Sequence, residues 1–207
     1  MANSISTWTK RHSLVAYFIL AYAITWAVQI RLALKAQGLS QAHIPFSIHY
    51  LAGYGPMLSA VIVTWLTAGI GGLKELFGRI LKWRVQPVWW LLVAISPLAL
   101  YVIVAIVFRL IQGQSLDLSM LGQVDFLPNL GLGALFLWLL TFGIGEETGW
   151  RGFALPRLQK NRNALYATFI LWVFWAIWHL PAFFYIYDPA IVIGFLLGVL
   201  AGAIVFT

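Results

Sequence analysis

VWWLLVAISPLALYVIVAIVFRLI, Val88–Ile111, carries a single charge, Arg109, and no acid. A membrane-crossing helix needs about 20 consecutive, mostly apolar residues, so this run reads as a span. Working outward, five further apolar runs are set off by polar or turn-forming residues: Ser13–Ile30, Ile48–Ile70, Leu130 through the Gly145 region, Ala164–Pro181 and Ala190–Thr207. A span with its connecting loop takes roughly 35 residues, which gives about six spans in this chain. The expected fold is all-α, a polytopic helical membrane protein forming a single transmembrane domain over residues 1–207.

Composition agrees. Of 207 residues, 62% are hydrophobic and 9% charged, against about 25% charged in a soluble domain, so a soluble globular protein is excluded. Disorder is excluded by 11 Trp, 8 Tyr and 14 Phe, because disordered chains are poor in aromatics. Lys and Arg number 13 against 6 Asp and Glu, a net +7. This excess does not indicate nucleic acid, since the basic residues sit in short loops between apolar runs; their expected partner is anionic lipid headgroups. There is no Cys, hence no disulfide framework, thiolate metal site or cysteine nucleophile.

Loop charge sets the expected orientation. Lys10 and Arg11 precede the first span, Lys74, Arg79, Lys82 and Arg84 occupy the second loop, and Arg157, Lys160 and Arg162 the fourth. The third and fifth loops hold Asp117, Asp125 and Asp188 without Lys or Arg; only Arg31 and Lys35 run against the pattern. The positive-inside rule then places the N-terminus in the cytoplasm. Ala21-Tyr22-Ala23 imitates a signal-peptide cleavage site, but the apolar run continues to Ile30 and five more follow, so it is read as a span. Gly55-Pro56 is expected to kink the second span, and Gly194, Gly198 and Gly202 to let a neighbouring helix approach the last one closely. That last run stops at Ile204-Val205-Phe206-Thr207 without a polar or aromatic flank, so the sequence is expected to be shorter than the functional unit.

Acids are scarce, which makes Glu146-Glu147-Thr148-Gly149-Trp150-Arg151 the conspicuous polar feature. A charge at the bilayer centre costs at least about 2.5–3.5 kcal/mol on insertion scales, and function is the default reading of one. Glu147 and Arg151, four apart, share a helical face and pair; Glu146, about 100° away, has no partner on its own helix. The bland alternative is that both acids cap a cytoplasmic helix end. His179 is the one His inside an apolar run, after Trp175-Ala176-Ile177-Trp178. If the fourth helix continues to about Leu158 and the fifth begins near Asn163, Glu146 lies roughly 18 Å and His179 roughly 24 Å from the same turn at about 1.5 Å per residue. They then face one cavity. This reading requires helix, possibly kinked at Gly149, through Arg151 and Gly152. A shielded carboxylate and imidazole suit peptide hydrolysis, the Glu taking a proton from water and the His stabilising the oxyanion or protonating the leaving amine. Alternatively Glu146 and His179 hold a divalent metal such as zinc, though a catalytic zinc takes three protein ligands and this set is incomplete. His43 and His49 read as solvated loop residues, His12 as part of the basic cluster, and Trp89-Trp90 as an interface anchor.

The Glu-Glu-x-x-x-Arg motif of Glu146 to Arg151, followed one helix-turn-helix later by the aromatic-x-x-x-His of Trp175 to His179, resembles the CPBP family of membrane proteins. These are the CAAX prenyl endopeptidases and the bacteriocin-processing or abortive-infection-like proteins. The family core would be residues 130–207. The resemblance implies an intramembrane protease with Glu146 activating water, Glu147 and Arg151 completing the first motif, and His179 in the second. The substrate would be a membrane-associated peptide or prenylated protein. Family members are called metalloproteases, and a direct glutamate mechanism is also argued. Trp175 stands where the family usually has Phe, and the family's later His-x-x-x-Asn/Asp pair does not occur before Thr207. Two other functions fit the same residues: a cation or proton transporter using the diglutamate, or a non-catalytic immunity or assembly protein. A prokaryotic plasma membrane is the expected location.

Overall fold

The computed structural model describes residues 2–82, 84–113 and 132–207. Among them the chain is helical, with no strand, and it is an all-α integral membrane protein. The beginning of the fourth apolar run at Leu130, and Asp117 and Asp125 of the third loop, lie outside the described residues. Among the described residues, four helical stretches are long and apolar enough to cross a membrane: Ser13–Ala36, Phe46–Ile80, Pro87–Ile111 and Ala164–Phe184. Pro189–Val205 is apolar but shorter. The fourth expected run misses that length for a different reason, as it is helix divided into short α and π segments.

The chain forms two compact units, Met1–Ile80 with Asn129–Thr207, and Leu81–Pro128. In the first unit, α1 (Ala2–Arg11) leads into α2 (Ser13–Ala36), the short α3 (His49–Ala52) and α4 (Gly55–Ile80). In the second, α5 (Pro87–Gln112) begins with Pro87 in its first turn, where the missing N–H costs nothing, and ends at Gly113 in the left-handed conformation (φ 70°). Back in the first unit, α6 (Leu132–Trp138) runs without interruption through a π-helical segment, Leu139–Glu146, then α7 (Glu147–Gly149), a second π segment, Trp150–Ala154, and α8 (Leu155–Leu158). α9 (Ala164–Trp178) is capped by the Asn163 side chain, which accepts from the Tyr166 N–H at 2.8 Å. After a 3₁₀ turn, Leu180–Phe184, the chain ends in α10 (Val192–Val205).

Two expected distortions fall elsewhere. Gly55-Pro56 does not kink the second span but opens α4, where Pro loses no helical hydrogen bond. The break in α4 is at Gly69, whose φ of 61° and ψ of −155° suit only glycine. Nor does Gly149 kink its helix; it is ordinary helical backbone, and the irregularity is carried by the π segments on either side. Of the glycines on α10, only Gly202 abuts a neighbour, Trp175, while Gly194 and Gly198 meet none.

Lipid tails are as apolar as Leu, so membrane helices are held together by tight packing and interhelical hydrogen bonds rather than by hydrophobic burial. α2 is the post around which this happens. Tyr22 Oη donates to the Phe174 carbonyl at 2.7 Å and Trp26 Nε1 to that of Trp178 at 3.0 Å, tying α2 to α9. Thr25 Oγ1 donates to Ala52 at 2.9 Å. Tyr17 stacks on Phe153 and meets Trp150 edge-on, with ring centroids 4.9 and 5.6 Å apart, and Phe18 stacks on Phe174 at 4.0 Å. Backbones come closest where glycine allows it: a Cβ on Gly145 would stand 2.7 Å from the Gly53 carbonyl oxygen, and one on Gly149 within 2.6 Å of three Pro56 atoms. These contacts press the helix bearing the two glutamates against the start of α4.

Candidate functional site

Glu146 closes the first π segment and is 6% exposed. Segments of π-helix often mark functional sites, and this one delivers Glu146 to the interior with Glu147 turned partly outward. Glu147 accepts from Arg151 Nη1 at 2.8 Å, as the spacing of four predicts. The partner that Glu146 lacks on its own helix comes from α9, where Trp175 Nε1 donates to its Oε2 at 3.0 Å. The neighbouring Trp150 indole N–H is buried without closing a hydrogen bond.

Trp175 is the hub. Its ring lies 4.1 Å beneath the Arg151 guanidinium carbon, a cation–π contact that Phe206 extends at 5.3 Å. Its carbonyl oxygen is 2.8 Å from His179 Nδ1. A carbonyl only accepts, so Nδ1 carries the hydrogen and Nε2 of the neutral ring keeps the lone pair. One residue thereby contacts all the chemistry-bearing side chains except Glu147, which it reaches through Arg151. The His179 ring is packed edge-on against Trp178 (4.8 Å) and Phe195 (5.0 Å), which fixes its plane.

His49 is not the solvated loop residue its position implies. It is 6% exposed, its Nδ1 shares a 2.7 Å hydrogen bond with Tyr185 Oη, and its ring contacts Phe46 and Phe142. The loop folds back because Gly53 packs against Thr141 and Phe142, drawing α3 onto the π segment. In the sequence, the only sign of this is the aromatic company His49 keeps, Phe46 and Tyr50. His43 is exposed, as expected.

Among the described residues no three His, Asp or Glu side chains are arranged to hold a metal ion. Glu147 is committed to Arg151, and Glu146 with His179 makes two donors where a catalytic zinc takes three. This donor set does not fit the zinc alternative.

Residues 128–206, which contain both motifs but not His49, match the family model described as type II CAAX prenyl endopeptidase Rce1-like. A 62-residue stretch is 39% identical to CAAX prenyl protease 2 of Methanococcus maripaludis. That match covers 30% of this chain and 21% of that protein. Residues 128–206, less than half of the chain, are thus similar to the Rce1-like endopeptidases, the likeness that the two motifs imply.

Proposed function

We propose that the chain carries the hydrolytic centre of a CAAX-type intramembrane endopeptidase. The observation that supports this reading best is the Trp175 bridge, which brings Glu146 and His179, 33 positions apart, to one residue. Glu146 takes a proton from water as the water oxygen bonds to the scissile carbonyl carbon. The tetrahedral oxyanion then collapses, the C–N bond breaks, and the departing nitrogen receives the proton that Glu146 took from water, passed on through His179. His179 suits the delivery of that proton better than direct oxyanion binding, because its Nε2 bears a lone pair and donates only after taking a proton up. Arg151, held by Glu147, covers one face of the Trp175 ring. Desolvation around Glu146 strengthens each of these interactions.

The substrate in this reading is a membrane-associated peptide or prenylated protein, cut near its C-terminus. The surrounding partner is anionic lipid, with the N-terminus and the Arg157–Arg162 loop on the cytoplasmic side of a prokaryotic plasma membrane. The test is to reconstitute the protein, at the length its cell makes, in proteoliposomes with a farnesylated CAAX-type peptide and to weigh the products. Two fragments summing to the peptide plus one water, with a large loss of rate in His179→Ala, support the reading. An uncut peptide across prenylated and non-prenylated probes, from folded protein, overturns it.

A further inference from the structure

Trp175 is not the only link between the two halves of the site. Phe142 precedes Glu146 on the same π segment, and its ring meets His49 at 5.7 Å. Tyr185 follows His179 in the chain, just beyond the 3₁₀ turn Leu180–Phe184. The 2.7 Å bond between His49 Nδ1 and Tyr185 Oη therefore joins α3, seated on the Glu146 segment, to the segment leaving His179. The close approach of Gly145 to Gly53 fixes the first of these seats, and the Tyr185 and Tyr187 N–H groups, both donating to the Ala182 carbonyl at 3.2 and 3.1 Å, fix the second. The pair is sheltered: Phe46 stacks on the His49 ring at 5.4 Å and reaches Tyr185 at 6.4 Å. A part-buried His–Tyr hydrogen bond between such seats resists being pulled apart, because separation leaves the largely buried His49 ring without that partner.

We propose that His49 and Tyr185 are positioning residues of the site, a second clamp that sets the spacing between Glu146 and His179. Neither residue is in a motif, and His49 lies outside the matched segment. Their effect on rate rests on the hydrolytic reading above; their effect on His179 does not.

Two measurements separate these. The first is histidine nitrogen NMR of the detergent-solubilised protein, practicable because there are only 4 His. Tyr185→Phe is expected to shift the His49 and His179 signals together, leaving His12 and His43 in place. A His179 signal that stays put while His49 moves overturns the clamp, whatever the protein catalyses. The second is cleavage of the farnesylated peptide. Tyr185→Phe and His49→Leu are each expected to lower kcat about tenfold, the worth of one buried hydrogen bond, with KM unchanged. The double variant should lose no more than either single one. His49→Asn, whose amide replaces Nδ1, should restore most of the rate. Additive losses, or no rescue by Asn in a folded protein, overturn it. Absence of cleavage in the unsubstituted protein would strike the hydrolytic reading and leave the NMR result to decide the clamp.

Discussion

Gly149→Ala isolates the contact that seats the diglutamate helix on α4. Gly149 has φ −78° and ψ −55°, so alanine is conformationally welcome, and only space opposes it. The added Cβ would stand 2.5 Å from Pro56 Cβ and 2.6 Å from the Pro56 carbonyl carbon and oxygen. Carbon contacts settle at about 3.5–4.0 Å, so the two helices must separate by about 1 Å, and the obstacle is backbone that no rotamer relieves. Overpacking of this kind costs about 1–3 kcal/mol. Gly152→Ala is the matched control, three residues on. Its Cβ would meet Leu76 Cδ1 at 3.6 Å, an ordinary contact, and the change gains up to about 1 kcal/mol of helix propensity. Gly149→Ala gains the same propensity, so the two variants should differ by the overpacking alone, roughly 1–3 kcal/mol, or about 2–12 °C in Tm at 2–4 °C per kcal/mol. Thermal unfolding of both in one detergent, at one scan rate, measures the gap. Equal melting temperatures would refute the close approach of Gly149 to Pro56, and with it the placement of Glu146.

Glu147→Gln removes the charged partner of the largely buried Arg151 and should destabilise the protein by about 1–3 kcal/mol in the same assay. Glu75→Gln, in the exposed Glu75–Arg79 pair, should change it by no more than about 0.5 kcal/mol. The cysteine-free sequence allows a clean topology test: with the N-terminus inside, His43→Cys should react with an impermeant maleimide in intact cells, and Arg162→Cys only after lysis. The opposite labelling would reverse the orientation drawn from loop charge.

What could be read from the sequence is what local chemistry dictates. Apolar runs fold as helix whatever surrounds them, because the backbone has no other way to satisfy itself in lipid. The Glu147–Arg151 pair follows from helical spacing alone. The partners of Glu146 and His179 were not legible to the same degree. Trp175 stands in a motif as an aromatic, yet its role comes from two polar atoms, Nε1, which reaches the Glu146 segment, and the carbonyl oxygen, which reaches His179 at the end of its own helix. His49 was misread because a histidine in a loop is usually solvated; only the packing of Gly53 on Thr141 and Phe142 carries it inside. The π segments escape for the same reason, as nothing in Leu139–Ala154 distinguishes i→i+5 from i→i+4 bonding until Gly145 meets Gly53 and Gly149 meets Pro56.

The most direct test of the central claim is the rate of peptide cleavage by Glu146→Gln, which keeps the volume of the side chain and an oxygen for Trp175 Nε1 but cannot take a proton from water. With its Tm near that of the unsubstituted protein, this variant should cleave the farnesylated peptide at least about 10²-fold more slowly, the lower end of what a general base contributes. Cleavage at an undiminished rate would show that Glu146 is not the residue that activates water.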